Sequence, residues 1–354
     1  MPHTVPSAID HLAALTGYRD RDLLDVTLAH ALMDLLAPLG VAVYKLAGEE
    51  QGDQRWLLRA RIDAGQPTAV SDPPWVAFET LPARESLPHH DASLRRQAVV
   101  ELGPSPDGQA PQTTTVFPLV AEGEGLGVIE VRSAQRLTAG MKRTVCSILR
   151  IYRNFHGLLD YSERDTLTGL LNRKTFDEAF LKTAHQGSGV AATGDGDRRH
   201  DDAGLSKHWL GVVDIDHFKH VNDRFGHLIG DEVLLLVARI LRSTFRFHDR
   251  LYRFGGEEFV VLLRCPQEAD AALAFERLRA NMEAYTFPQV GRVTASIGFT
   301  EVRPGDAPSA AFERADRAVY HAKQNGRNQV CNHEALVRSG VLAPAGKVGD
   351  VELF

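Results

Sequence analysis

The segment Arg253-Phe-Gly-Gly-Glu-Glu-Phe259 sets two carboxylates, Glu257 and Glu258, side by side before an apolar run. Glycine adopts positive φ without steric cost, so Gly255-Gly256 between the runs 251–254 and 259–263 predicts a hairpin turn. Phe259, Val260, Val261, Leu262 and Leu263 then predict a buried strand. Two carboxylates fixed together repel unless a cation lies between them. From this segment alone, a solvated acidic turn fits as well. A second acidic tip lies upstream, where Trp209-Leu-Gly-Val-Val-Asp-Ile-Asp216 reads as a buried strand closed by Asp-x-Asp. Hard cations take oxygen ligands, commonly one or two carboxylates plus substrate phosphates. If the two strands are neighbours, Asp214 and the Glu257/Glu258 pair flank one or two metals, an arrangement suited to phosphoryl transfer. The alternative is that an aspartate only caps the segment His217-Phe-Lys219, a role that suits Asp216 better than Asp214.

The elements that position these residues follow from periodicity. Residues 22–40 have helical apolar spacing that ends at Pro38-Leu-Gly40, and residues 41–46 and 56–62 read as strands. Residues 64–112 are rich in Pro, His, Asp and Gln, with a strand-like stretch at 98–102. Residues 114–119 and 126–131 form a hairpin pattern, and 138–162 is a long helical pattern. A further helix is expected at about 174–184. The Gly-, Asp- and Arg-rich stretch at about 186–206 is expected to be a disordered insertion, because it has too little apolar surface to order itself. Helices are also expected from about 231 to 241 and from 270 to 284.

Asp214-Ile-Asp-His-Phe-Lys-His-Val-Asn222-Asp-Arg-Phe-Gly226-His-Leu-Ile-Gly230-Asp231, followed by Gly255-Gly-Glu-Glu-Phe259, resembles the GGDEF family of diguanylate cyclases in its GGEEF variant. Three further stretches agree: Asp165-Thr-Leu-Thr-Gly-Leu-Leu-Asn-Arg173, Ala295-Ser-Ile-Gly298 and Tyr320-His-Ala-Lys323-Gln-Asn-Gly-Arg327-Asn328. The N-terminal pattern, above all Val116-Phe-Pro-Leu-Val-Ala and Gly125-Leu-Gly-Val-Ile-Glu-Val131, resembles a GAF sensory domain; a generic regulatory α/β domain, PAS-like for instance, is the alternative. The two resemblances imply an α/β (α+β) chain. A GAF-like domain at 1–137 is followed by a signalling helix at 138–163 and a cyclase domain at 164–332. That domain resembles the nucleotidyl cyclase and polymerase palm fold, a mostly antiparallel sheet with flanking helices. A tail at 333–354 carries no clear motif.

The family resemblance also implies roles. Asp214, the Ile215 carbonyl, Glu257 and Glu258 would bind Mg²⁺ or Mn²⁺, two ions per site. One glutamate would help remove the 3′-hydroxyl proton, with Glu257 favoured. Asn222 and Asp231 resemble guanine readers, since a carboxylate accepts the paired guanine N–H donors that adenine lacks. By position alone Asp231 also fits a helix N-cap, and Asn222 a turn residue. Lys219, Lys323 and Arg327, with the backbone of His217 and Phe218 at a helix start, resemble triphosphate ligands. Arg253 would support the glycine hairpin or approach a phosphate. Arg246-Phe-His-Asp249 matches the RxxD inhibitory motif, with Arg277 a second arginine for bound product; a surface Arg–Asp ion pair is the alternative.

The expected reaction is condensation of two GTP into cyclic di-GMP with release of two pyrophosphates, in a homodimer regulated by an unidentified small-molecule ligand of the sensor. A catalytically silent cyclic di-GMP receptor, or a sensor or scaffold, is the alternative. Composition is compatible with this reading. The chain has 354 residues, 44% of them apolar, and a net charge of −6, which argues against direct nucleic-acid binding. Three scattered cysteines lack metal-type spacing and suit a reducing compartment. No long apolar run or leader pattern is present, so a cytoplasmic protein away from the membrane is expected.

Overall fold

Alternation along one strand decides how the C-terminal half is layered. Side chains in a strand point to opposite faces in turn, so Leu210, Val212 and Asp214 share one face and Trp209, Val213 and Ile215 the other. The computed structural model describes residues 8–17, 21–48, 52–66, 68–73, 76–103, 112–121, 124–186 and 207–343. The expected insertion therefore lies almost wholly outside the described residues. The chain divides into two units, Met1–Ser162 and Glu163–Phe354.

In the first unit, α1 (Ala8–Gly17) and α2 (Arg21–Leu36) precede β1 (Gly40–Ala47) and β2 (Arg55–Asp63). Then come α3 (Pro88–Arg96), β3 (Val100–Leu102), β4 (Thr113–Ala121), β5 (Glu124–Ser133) and α4 (Ala139–Glu163). The strands form a five-stranded antiparallel sheet in the order β2-β1-β5-β4-β3. Val41, Val43, Ala60, Ile62, Ile129 and Val131 pack with α2 and α4 on one face, while Ala42, Tyr44, Trp56, Val116 and Val128 pack with Leu94 of α3 on the other. The helix α3 was not expected from sequence. It is short and polar; Pro88 starts it, and Asp91 in its first turn accepts from Arg84 Nε at 2.6 Å.

The second unit holds β6 (Leu171–Asn172), α5 (Arg173–Gln186), β7 (Lys207–Ile215), α6 (Phe218–Phe225), α7 (His227–Thr244), β8 (Arg250–Gly255) and β9 (Glu258–Cys265). It continues through α8 (Glu268–Ala284), β10 (Thr286–Phe287), β11 (Gly291–Arg292), β12 (Ala295–Glu301), α9 (Pro308–Gln324), β13 (Val330–Asn332) and α10 (His333–Arg338). The six-stranded sheet has the order β13-β12-β7-β9-β8-β6. Its four central strands are antiparallel neighbours, and β6 and β13 join the edges in parallel. The mixed α/β architecture with flanking helices is the one expected. The stretch read as a featureless tail begins as α10, with His333 buried.

Helices cover both faces of this sheet. Trp209, Val213, Phe259, Val261, Ile297 and Phe299 pack with α7 and α8. Leu210, Val212, Val260 and Leu262 pack with Phe176 and Phe180 of α5 and Ala311, Ala315 and Val319 of α9. By alternation, Asp214 and Glu258 belong to the face that α5 and α9 cover. Gly298 lets α9 approach, since a Cβ there would overlap the Ala315 carbonyl oxygen and the Val319 nitrogen. Among the described residues no helix is long and apolar enough to cross a membrane.

Both obstructing atoms at Gly298 are backbone, so α9 must move to admit a methyl group. Gly298→Ala should therefore destabilise the protein by about 1–3 kcal/mol, read as a lower denaturant midpoint. An unchanged midpoint would show that α9 is not held against β12 at this point.

Candidate functional site

The two acidic tips meet. β7 and β9 are antiparallel neighbours, and Asp214 stands directly opposite Glu258. Gly255 and Gly256 both take positive φ (136° and 52°), which closes the expected hairpin and leaves Glu257 in the turn. The Ile215 N–H donates to the Glu257 carbonyl at 3.4 Å, tying the turn to the end of β7.

Asp214 is 6% exposed. Lys323 Nζ lies 2.7 Å from its Oδ2, while its buried Oδ1 has no partner. Burial pushes the Asp214 carboxyl above the usual carboxylate range, and Lys323 draws it back only in part. Glu257 and Glu258 are raised as well, by burial first and then by the charge of Asp214. Among the described residues no three His, Cys, Asp or Glu side chains converge as a ready-made metal cage. The donor set nevertheless fits a hard cation: it is all oxygen, it carries excess negative charge, and one buried carboxylate oxygen is bare.

Arg253 and Asp165 brace the hairpin. Arg253 donates from Nε and Nη2 to the Gly256 carbonyl, at 3.3 and 2.9 Å, and from Nη1 to Asp165 Oδ1 at 2.9 Å. The same Asp165 oxygen accepts from the Thr168 N–H and hydroxyl at 2.8 and 2.6 Å. Of its two expected roles, Arg253 takes the structural one. Thr168 and Arg253 outweigh partial burial and hold the Asp165 carboxyl below its ordinary value.

The residues expected to meet nucleotide occupy three elements. His217 takes a left-handed conformation (φ 58°) as the N-cap of α6 and is exposed; Phe218 is buried, and Lys219 is exposed one residue on. Asn222 lies on α6 with its amide against Gly230, where a Cβ would overlap Asn222 Oδ1. Asp231 is exposed within α7, whose N-cap is Gly226. The N-cap alternative for Asp231 is thus excluded, because its helix starts four residues earlier than the sequence suggested. Capping is excluded for Asp216 too: it is buried among Thr294, Ser296 and Asn328. Arg327 is exposed in a left-handed turn after α9 (φ 61°). Of these cationic residues, Lys323 is the one joined directly to the acidic group among the described residues.

At the expected inhibitory motif, Asp249 accepts from the Arg246 N–H at 2.9 Å, and its own N–H donates to the Arg246 carbonyl at 3.0 Å. The pair forms a tight turn, not the surface ion pair held as an alternative, and the Arg246 side chain stays exposed. Arg277 donates to the Thr244 carbonyl at 2.7 Å, at the C-terminal end of α7. Two further residues of the acidic tip escaped sequence reading. Asp316 of α9 raises Asp214 and Glu258 further, and Arg173 lowers Glu258. The available signal for Asp316 was its spacing seven residues before Lys323, two helical turns on one face.

Comparison with known proteins adds a family. The model described as "Diguanylate cyclase, GGDEF domain" matches residues 197–329. Diguanylate cyclase DgcP of Pseudomonas aeruginosa is 42% identical over 202 residues, 55% of this chain and 28% of that protein. Diguanylate cyclase DgcM of Escherichia coli is 38% identical over 170 residues, 48% of this chain and 38% of that protein. The chain thus spans well under half the length of both curated relatives. Among solved structures, the GGDEF domain of DgcB from Caulobacter crescentus in complex with c-di-GMP aligns at 31% identity and a TM-score of 0.42, over 49% of this chain and 96% of that one.

Lys323 lowers Asp214, Glu257 and Glu258 alike. Lys323→Ala should therefore move all three carboxyl titrations further up, read by carboxyl ¹³C NMR. For carboxylates raised in the folded state, their share of stability is full below the unfolded value of about 4 and is lost as pH rises through the folded one. The variant should accordingly lose more stability than the parent over that rise. Unchanged titrations would show that Lys323 does not govern the cluster.

Proposed function

We propose, for a chain whose residues 197–329 belong to the diguanylate cyclase GGDEF family, that it condenses two GTP into cyclic di-GMP with release of two pyrophosphates. The observation that carries this reading is the buried Asp214, bare at Oδ1, paired in register with Glu258 and neutralised on its other oxygen by Lys323. Asp214, Glu257 and Glu258, with the Ile215 carbonyl, are the residues that would hold Mg²⁺ or Mn²⁺, two ions per site. Such a cation, when bound, stabilises charge on the phosphoryl oxygens and on the attacking hydroxyl. The raised Glu257 carboxyl in the turn suits acceptance of the 3′-hydroxyl proton.

The remaining residues bind and orient. Asn222 and Asp231 read guanine, and an unpaired Asp231 penalises adenine. Lys219, Lys323 and Arg327 take the triphosphate, together with the N–H groups of His217 and Phe218 at the start of α6. The 3′-hydroxyl of each GTP attacks the α-phosphate of the other; a new phosphodiester forms and pyrophosphate leaves. Each domain holds one GTP, so two copies of the chain must face each other, and positioning supplies much of the catalysis. Exposed Arg246, with Asp249 Oδ1 buried, making no hydrogen bond and lying 4.0 Å from His248 Nε2, suits capture of product guanine and phosphate as feedback inhibition. The N-terminal unit, read as GAF-like, would bias the paired arrangement through α4 by binding its ligand differently in the two states.

Purified protein, stripped of bound dinucleotide and incubated with GTP and Mg²⁺, should yield cyclic di-GMP on chromatography, and Glu257→Ala/Glu258→Ala should yield none. Asp231→Ala should lower the preference for GTP over ATP by roughly 10–100-fold, the scale for losing the hydrogen bonds made to one charged group. Binding of cyclic di-GMP through Arg246 with no GTP turnover would favour a receptor instead.

A further inference from the structure

The geometry points to Asp216 as a positioning residue that fixes the phosphate-binding turn after α9 against the catalytic strand. This inference rests on the proposed reading of the site but assigns Asp216 no contact with metal or substrate.

Asp216 is 5% exposed, two residues beyond Asp214. Its Oδ1 accepts from the Ser296 hydroxyl at 2.7 Å. Its Oδ2 accepts from the Thr294 hydroxyl at 2.7 Å and from the Asn328 backbone N–H at 3.0 Å. Its own N–H donates to the Thr294 carbonyl at 2.9 Å. One buried carboxylate therefore joins three segments: the end of β7, the start of β12, and the turn at 326–328. All its partners are protein donors, so the side chain is already satisfied where Asp214 is not.

The turn it holds needs holding. Gly326, Arg327 and Asn328 take φ of 108°, 61° and 44°, so two non-glycine residues in succession lie in the left-handed region. Such residues cost of order 1 kcal/mol each and persist when their surroundings fix them. Hydrogen bonds to an ionised carboxylate are about twice as strong as neutral ones. Arg279 adds a bond from Nη1 to Asn328 Oδ1 at 3.1 Å, and the Arg327 N–H donates to the Ala322 carbonyl at 2.9 Å. Lys323 leaves the same end of α9 and pairs with Asp214. Two acids of one strand end thus hold the turn from two sides: Asp214 through Lys323, and Asp216 through Asn328. When Lys323 turns to a phosphate, the Asp214 link opens and the Asp216 link remains, keeping Arg327 in place. The arrangement also gives the Ser296 and Asn328 positions of the two late motifs a physical task.

Asp216→Asn keeps the shape but exchanges an accepting oxygen for a donor. It should raise the KM for GTP about tenfold, the scale of one weakened charge-assisted bond, and leave the Mg²⁺ concentration for half-maximal rate unchanged. Binding of 3′-deoxy-GTP, which lacks the attacking hydroxyl, should weaken by the same factor in calorimetry. Ser296→Ala, which removes one donor and spares Asn328, should fall between wild type and Asp216→Asn; it decides the matter if the latter does not fold. An unchanged KM in folded variants overturns the inference. So does a shifted Mg²⁺ requirement with KM intact, because that would make Asp216 a metal ligand. A wild type that binds 3′-deoxy-GTP yet makes no cyclic dinucleotide counts against the proposed reaction alone.

Discussion

One carboxylate oxygen, Oδ1 of Asp214, is buried without a hydrogen-bond partner, at a strand end where the Lys323 ammonium on Oδ2 meets a cluster of acids. A buried ion costs several kcal/mol unless it is paired. The first unit shows the ordinary solution. Asp25, fully buried on α2, accepts from Lys45 Nζ at 3.0 Å, Arg59 Nε at 3.1 Å and Tyr152 Oη at 2.5 Å. That network is closed. Among the described residues, Asp214 has a single cation on one oxygen and four further acids acting nearby: Asp216, Asp316, Glu257 and, directly opposite, Glu258. A site left open in this way is one that a mobile cation and an anionic ligand can complete.

The surrounding structure keeps those charges from relaxing apart. The β7–β9 ladder fixes Asp214 opposite Glu258, and the paired glycines turn the chain tightly enough to leave Glu257 beside them. Arg253 holds the turn from behind and anchors it through Asp165 to the opening motif. Gly298 draws α9 against β12, which brings the Lys323 ammonium to Asp214. Backbone and side-chain bonds of this kind fix the acids in place, which is what electrostatic preorganisation requires.

Much of this was legible in the sequence because it depends on local rules. Alternation and glycine chemistry predicted the strands and the hairpin, and the position of the acids at strand ends predicted that they meet once the strands pair. What escaped depends on packing between distant segments. Asp216 looked like a helix cap because its next neighbours are helical, yet its partners lie about 80 to 112 residues away, at Thr294, Ser296 and Asn328. Asp316 is an unremarked acid on a helix until α9 is laid over β7. Asp231 was compatible with a cap because helix starts are set by local backbone geometry, here the positive φ of Gly226, which polar patterning does not locate well.

If the bare Asp214 oxygen and its acidic neighbours form a cation site used together with nucleotide, that site must bind a divalent ion. The most direct measurement is Mn²⁺ binding by electron paramagnetic resonance, with 3′-deoxy-GTP present, in wild type, Asp214→Asn and Glu258→Gln. Bound Mn²⁺ is expected in wild type, with a loss of affinity of at least about tenfold in both variants, no less than the loss of an outer-shell partner of a metal ligand costs. Equal Mn²⁺ binding in all three proteins would contradict it.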